Sequence, residues 1–220
     1  MATPRHAPRG IALVALVAAA GCTALSYTGG ARPVAPAQLD AGWLRSAPTP
    51  IVRQRYEADC GLAALAMIAG AWGHRWVVDE LARHAPPTPR GIKLGVLRDL
   101  ARARGLEAYA ISGTPDDLQR ELAKGRPVLV GLTLPFERNR ARAHFEVVVA
   151  VDPRTGSAVT VDPATGTYRQ RSREVLETEW RPGGYPTLVV VGDRAVARAD
   201  AAPRLLVPAR PTGTPHARGP

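Results

Sequence analysis

Two turn signatures of one kind govern the second half of this chain. Asp152-Pro153-Arg154-Thr155-Gly156 and Asp162-Pro163-Ala164-Thr165-Gly166 each set a stiff proline shortly before a permissive glycine. Around them lie strand candidates, apolar from His144 to Val151 and from Ala158 to Val161, and a third strand from Thr167. Strands this short, joined by turns this tight, pair antiparallel, because a parallel connection needs a crossover of a dozen or more residues. The chain is thus committed to an antiparallel sheet whose first hairpin closes inside 152–156.

Upstream the period changes. The sequence predicts helices over Gly61 to Trp72, Val77 to His84 and Lys93 to Arg104, the last stopped by Gly105. A helix beginning at Thr114-Pro115 ends at Gly125, and Ser172 to Trp180 is a further short helix. Strands are expected over Glu107 to Ser112, Pro127 to Leu134 and Pro186 to Val191. Helices first and antiparallel sheet afterwards read as the α+β class. Apolar residues are 45% of the chain but aromatics only 5%, so the core has to be built from Ala, Val and Leu.

The formal net charge of +10 comes almost wholly from arginine; Lys93 and Lys124 are the only lysines. These arginines are spread along the chain and fill its tail, whereas a nucleic-acid surface gathers its cations on one face with aromatics between them. No nucleic acid is expected. There is no phosphate-loop motif and no His or Cys spacing suited to a metal, so neither a cofactor nor a metal is expected.

At the amino end, Arg5, His6 and Arg9 precede a ten-residue apolar run, Ile11 to Ala20. That is short for a membrane span and right for a signal-peptide core. It leads into Ala19-Ala20-Gly21-Cys22, which resembles a bacterial lipobox, with Ala19 standing where a larger aliphatic is usual. We expect a signal peptide over 1–21, lipidation of Cys22, and a flexible tether over 22–49 whose Trp43 and Leu44 could dock on the domain edge. A globular domain follows over 50–191, and a Pro/Ala/Arg-rich disordered tail over 192–220. The implied place is the bacterial envelope, facing the periplasm if the cell has an outer membrane.

The chemistry gathers at Gln54-Arg55-Tyr56-Glu57-Ala58-Asp59-Cys60-Gly61. Cys60 sits where an Ala/Leu-rich helix begins, and the positive end of a helix dipole favours a thiolate. Gln54, six residues upstream, could return an amide to the same spot. Asp59 opposes thiolate formation and reads as structural. A cysteine nucleophile needs a base and an orienting group. Among the five histidines, His6 and His216 lie in the ends. His74 would stand about 20 Å from Cys60 along an intact helix. His84 lies in a Pro-flanked surface stretch. His144 opens a buried strand and is the base of choice. Asp152 lies about 26 Å along the same strand from His144 if extended, whereas a hairpin closed at 153 brings Asp162 to within a residue or two of it in register. Taken singly, each has a plainer reading: a small buried thiol, a partly buried histidine, a turn-starting aspartate.

Together, Gln54, Asp59-Cys60-Gly61, His144-Phe145, Asp162-Pro163 and Trp180-Arg181-Pro182-Gly183 resemble the bacteriocin-processing cysteine peptidases. These papain-like domains stand at the amino end of ABC exporters and cut leader peptides after a Gly-Gly pair. The resemblance spans roughly Pro50 to Val191. It implies a papain-like fold with Cys60 as nucleophile, His144 as base, Asp162 as its orienter and Gln54 as oxyanion donor. It implies a peptide or protein as substrate. Unlike the exporters, this chain is expected to be free-standing and lipidated. A groove that only binds peptide, or a transferase working through the same thioester, would use the same residues. Arg138 to Arg142, just before His144, would either favour acidic peptides or form a solvated loop. Gly29-Gly30 is either a self-cleavage site or simple linker.

Overall fold

A computed structural model describes residues 30–135 and 140–193. Cys22, Gly29, the signal-peptide and tail segments, and Arg138-Asn139 lie outside the described residues. The expected elements form in order: α1 (Cys60–Ala71), α2 (Val78–His84), α3 (Leu94–Ala103), β3 (Glu107–Ser112), α4 (Pro115–Ala123), β4 (Val128–Pro135), β5 (Ala141–Val151), β6 (Ala158–Asp162), β7 (Thr167–Arg171), α5 (Arg173–Trp180) and β8 (Pro186–Val191). Two short strands precede them, β1 (Arg32–Pro33) and β2 (Leu44–Arg45).

The strands make one antiparallel sheet in the order β1-β7-β6-β5-β4-β8-β3, with β2 paired to the far end of β5. Alternation along the strands feeds two cores. Val147 and Leu129 face α1 and α3, while Val148 and Val130 face α4 and α5. The helices thus cover both faces of the sheet and interleave with its strands, rather than preceding it as a block. The reason is local. Thr114 caps α4 by accepting from the Asp117 N–H, and Ser172 caps α5 by accepting from the Val175 N–H, so each helix starts where a strand has just ended.

α1 is buried from Cys60 through Ala69. Its small residues allow close approach: a Cβ at Gly61 would lie 2.6 Å from Ile92 Cγ2 and 3.0 Å from Phe145 Cδ2. A helix this apolar on every side is stable only at the centre of a domain, and that burial fixes its first residue against β5.

Residues 30–49 correct the expectation of an unstructured tether. Arg32 and Pro33 pair with Gln170 and Arg169, and Leu44 and Arg45 pair with Val151 and Ala150. Arg45 donates to the carbonyls of Pro36, Leu39 and Asp40, closing the segment on itself. The low periodicity that suggests linker also suits edge strands of two residues, which need backbone pairing rather than a hydrophobic face.

Candidate active site

Three segments meet at the site. Cys60 opens α1 directly after a single helical turn, Glu57–Asp59, whose Asp59 carboxylate accepts from the Tyr56 N–H at 3.0 Å. That carboxylate is spent on its own turn. His144 lies on β5 and Asp162 at the end of β6. In the β5–β6 ladder Val147 faces Val161 and Val148 faces Thr160. Continued by one step, the register sets Asp162 opposite Glu146, two residues from His144. A diagonal neighbour on one face of a sheet is within reach of a side chain. His144 Nε2 and Asp162 Oδ1 are 2.9 Å apart.

Asp162 is held from four sides. Its Oδ1 also accepts from the Ala164 N–H at 2.8 Å, and its Oδ2 accepts from the Thr165 hydroxyl and Arg169 Nε. The turn that starts at Asp162 is stitched to the segment leading into Cys60, since the Gln54 N–H donates to Pro163 O at 2.9 Å. Asp152, in the matching turn, holds only its own loop: it accepts from the Arg154 N–H and side chain and from Thr155.

With Nε2 on Asp162, the Nδ1 side of the ring is left for Cys60. The thiol is buried, like His144 and Asp162, and shares a cleft of about 630 Å³ with the ring. Burial disfavours the imidazolium. The Asp162 hydrogen bond, the Cys60 thiol and the Glu146 charge outweigh it, and His144 is raised from 6.5 to about 9. Burial likewise works against the Asp162 carboxylate, yet the bonds from His144 and Ala164 hold it well below the usual carboxylate range. The pair is therefore a stable imidazolium–carboxylate at neutral pH.

Gln54 does not line the cleft in this structure. Its Nε2 donates to Tyr56 O at 3.0 Å and to Glu57 O at 3.3 Å, bracing the turn before Cys60. Its Oε1 is buried with no partner among the described residues. The alternative histidines lie elsewhere. His84 bonds Glu80 O and Arg104 on the surface, and His74 stacks near Trp76. The cleft mouth is basic, with Arg90, Lys93, Arg140 and Arg142, although Arg142 pairs with Glu57 at 2.7 Å.

Sequence reasoning missed the ionic cluster behind the dyad. Arg171 grips both oxygens of Glu146 and also reaches Glu179, all three wholly buried. One signal was available: Glu146 interrupts a Val-rich strand at the same parity as His144.

A profile of the Peptidase C39 family matches residues 48–189. The chain belongs to the Peptidase C39 family. The matched region is a cysteine peptidase domain, and the mixed helix and antiparallel-sheet architecture is that of C39 domains. The chain is 32% identical over 129 residues to the probable microcin-H47 secretion/processing ATP-binding protein MchF of Escherichia coli, 59% of this chain but 16% of that protein's length. In fold it is similar to a putative C39-like peptidase from Bacillus anthracis, with TM-score 0.58 and 18% identity over 69% of this chain and 98% of that one. It is similar also to a double glycine motif protease from an AMS/PCAT transporter in complex with the leader peptide, with TM-score 0.52 and 21% identity over 66% and 93% of the two chains. Among the described residues of this C39 chain, no helix is long and apolar enough to cross a membrane.

Proposed function

We propose that this C39 peptidase hydrolyses peptide bonds with Cys60 as nucleophile, His144 as general base and acid, and Asp162 as the group that orients His144. The observation that carries the reading is the 2.9 Å bond between His144 Nε2 and Asp162 in a cleft shared with Cys60. With the thiol's proton already resting on His144 Nδ1, the Cys60 sulfur attacks the scissile carbonyl carbon. The resulting oxyanion is met by the Cys60 backbone N–H at the start of α1, where the helix dipole also favours negative charge. Gln54 adds a second donor once its longer bond, to Glu57 O, is released. The tetrahedral adduct collapses as His144 gives its proton to the leaving amine. Water, deprotonated by the same ring, then cleaves the thioester and restores the thiol.

Cleavage after Gly-Gly in leader-type peptides is the substrate class we favour, supported by the family match and by the leader peptide held by a protein of similar fold. We also read the chain as an exported, free-standing lipoprotein anchored through Cys22; that reading rests on the Ile11 to Cys22 sequence alone. The test is cleavage of a peptide library containing Gly-Gly sequences by the full chain, with Cys60→Ala as control. Cysteine-dependent cuts after Gly-Gly support the proposal. Cuts that survive Cys60→Ala, or none at all from a folded protein, overturn it.

A further inference from the structure

On the sheet face behind the cleft, a small cavity of about 250 Å³ is walled by His144, Glu146, Asp162, Arg169, Arg171 and Glu179. One ring nitrogen of His144 and one carboxylate oxygen each from Glu146 and Asp162 lie within 4.8 Å of one another. Such a trio could suit a metal, but its ligand atoms are committed. Arg171 Nη1 and Nη2 donate to Glu146 Oε2 and Oε1 at 2.8 and 2.9 Å, and the Thr160 hydroxyl donates to Oε2 at 2.5 Å. A guanidinium already occupies the place a cation would take.

The arrangement is nevertheless costly. Glu146 and Asp162 are cross-strand neighbours, and like charges placed there repel. Arg171 does not cancel Glu146 completely, because it also donates to Glu179 Oε2 at 2.6 Å. The group best placed to relieve both carboxylates is a protonated His144. Arg142, which also borders this cavity, is paired with Glu57.

We propose that Glu146 is a positioning residue for His144: a second carboxylate, fixed by Arg171, that stands beside the ring and favours its protonated form. The inference rests on the reading of Cys60 and His144 as a catalytic pair. Other titratable or charged groups that face the ring are Cys60 from α1, Asp162 from β6 with Arg169 of β7 behind it, and Arg142 from β5. Glu57, Arg90, Lys93 and Arg140 lie across the cleft. None of these changes when Glu146 or Glu179 is altered.

The experiment follows alkylation of Cys60 by iodoacetate, an anion drawn to a thiolate beside a protonated imidazole, as pH rises through about 9. In the unaltered protein the rate falls as His144 loses its proton. Glu146→Gln keeps the side-chain shape and should move the midpoint of that fall down by about one pH unit. Glu179→Gln leaves Arg171 wholly to Glu146, and should move it the same way by less. Melting temperatures are measured in parallel. A purely structural role would lower them and leave the midpoint in place, and that result overturns the proposal. If Glu146→Gln does not fold, an unmoved midpoint in Glu179→Gln overturns it just as well. Absence of any alkaline fall in the unaltered protein would instead remove the Cys60–His144 pairing on which the inference stands.

Discussion

Asp162→Asn is the sharpest test of the site because the chain supplies its own control. Asn keeps one carbonyl oxygen, so the bonds from His144 Nε2 and the Ala164 N–H at the present Oδ1 can persist. What is lost is a full charge 2.9 Å from the ring, together with a clean acceptor for Arg169 Nε. An opposite charge at that distance is worth roughly one to two pH units to a histidine. The His144 value should fall from about 9 toward its ordinary 6.5. Each unit is about 1.4 kcal/mol of support for the imidazolium, and losing it together with the fixed ring orientation should lower kcat/KM at neutral pH by roughly tenfold to a hundredfold. The basic limb of its pH profile should move down with it. Stability carries the same signature. A group raised from 6.5 to about 9 on folding contributes on the order of 3 kcal/mol. That contribution is fully present below 6.5 and is lost as pH rises through about 9. Asp162→Asn should flatten this alkaline decline in chemical-denaturation curves. Asp152→Asn alters the matching turn, whose carboxylate touches only its own loop and Asp40's partner Arg154, and should leave both profiles unmoved. If Asp162→Asn kept kcat/KM within about twofold and an unshifted basic limb, the orienting role would be refuted.

Two further outcomes follow from packing and from the turn before Cys60. Gly61→Ala places a methyl 2.6 Å from Ile92 Cγ2 and 3.0 Å from Phe145 Cδ2. It should cost about 1–3 kcal/mol in thermal denaturation. It should also lower kcat, because Phe145 adjoins His144; unchanged stability would show that the helix start is looser than its packing implies. Gln54→Ala removes two bonds that brace the 56–57 backbone, at about 1 kcal/mol. If Gln54 also serves the oxyanion, kcat falls about a hundredfold. A lower melting point with kcat intact would limit Gln54 to holding the turn.

The chain's own pattern specified a good deal. Glu107–Ser112 and Pro186–Val191 form with the limits the sequence predicts, since both are apolar runs bounded by Gly or Pro. The pairing of His144 with Asp162 rather than Asp152 was legible too, because two tight turns leave a hairpin few registers. A β-bulge between Val148 and Ala150 shifts the register beyond that point, yet Asp162 still falls two residues from alignment with His144. The helix that carries Cys60 was legible from its Ala and Leu content, as was the thiol's place at its start.

Other features were settled only by long-range contacts. Arg32–Pro33 and Leu44–Arg45 have no periodicity of their own and become strands because β7 and β5 offer unpaired edges. Gln54 is six residues from Cys60 on paper, but with its N–H tied to Pro163 O from the distant turn its side-chain amide turns to the carbonyls of Tyr56 and Glu57. Glu146, Arg171 and Glu179 are far apart in sequence and look like ordinary surface charges on a strand, a strand end and a helix. Burial turns them into one ionic cluster against the histidine, because charge is tolerated inside a protein only where partners converge. Sequence by itself determined which residues stand at helix starts and hairpin positions, through propensity and turn chemistry acting over a few residues. The tertiary structure decided which of their atoms are free to act, since that depends on partners brought in from elsewhere in the chain.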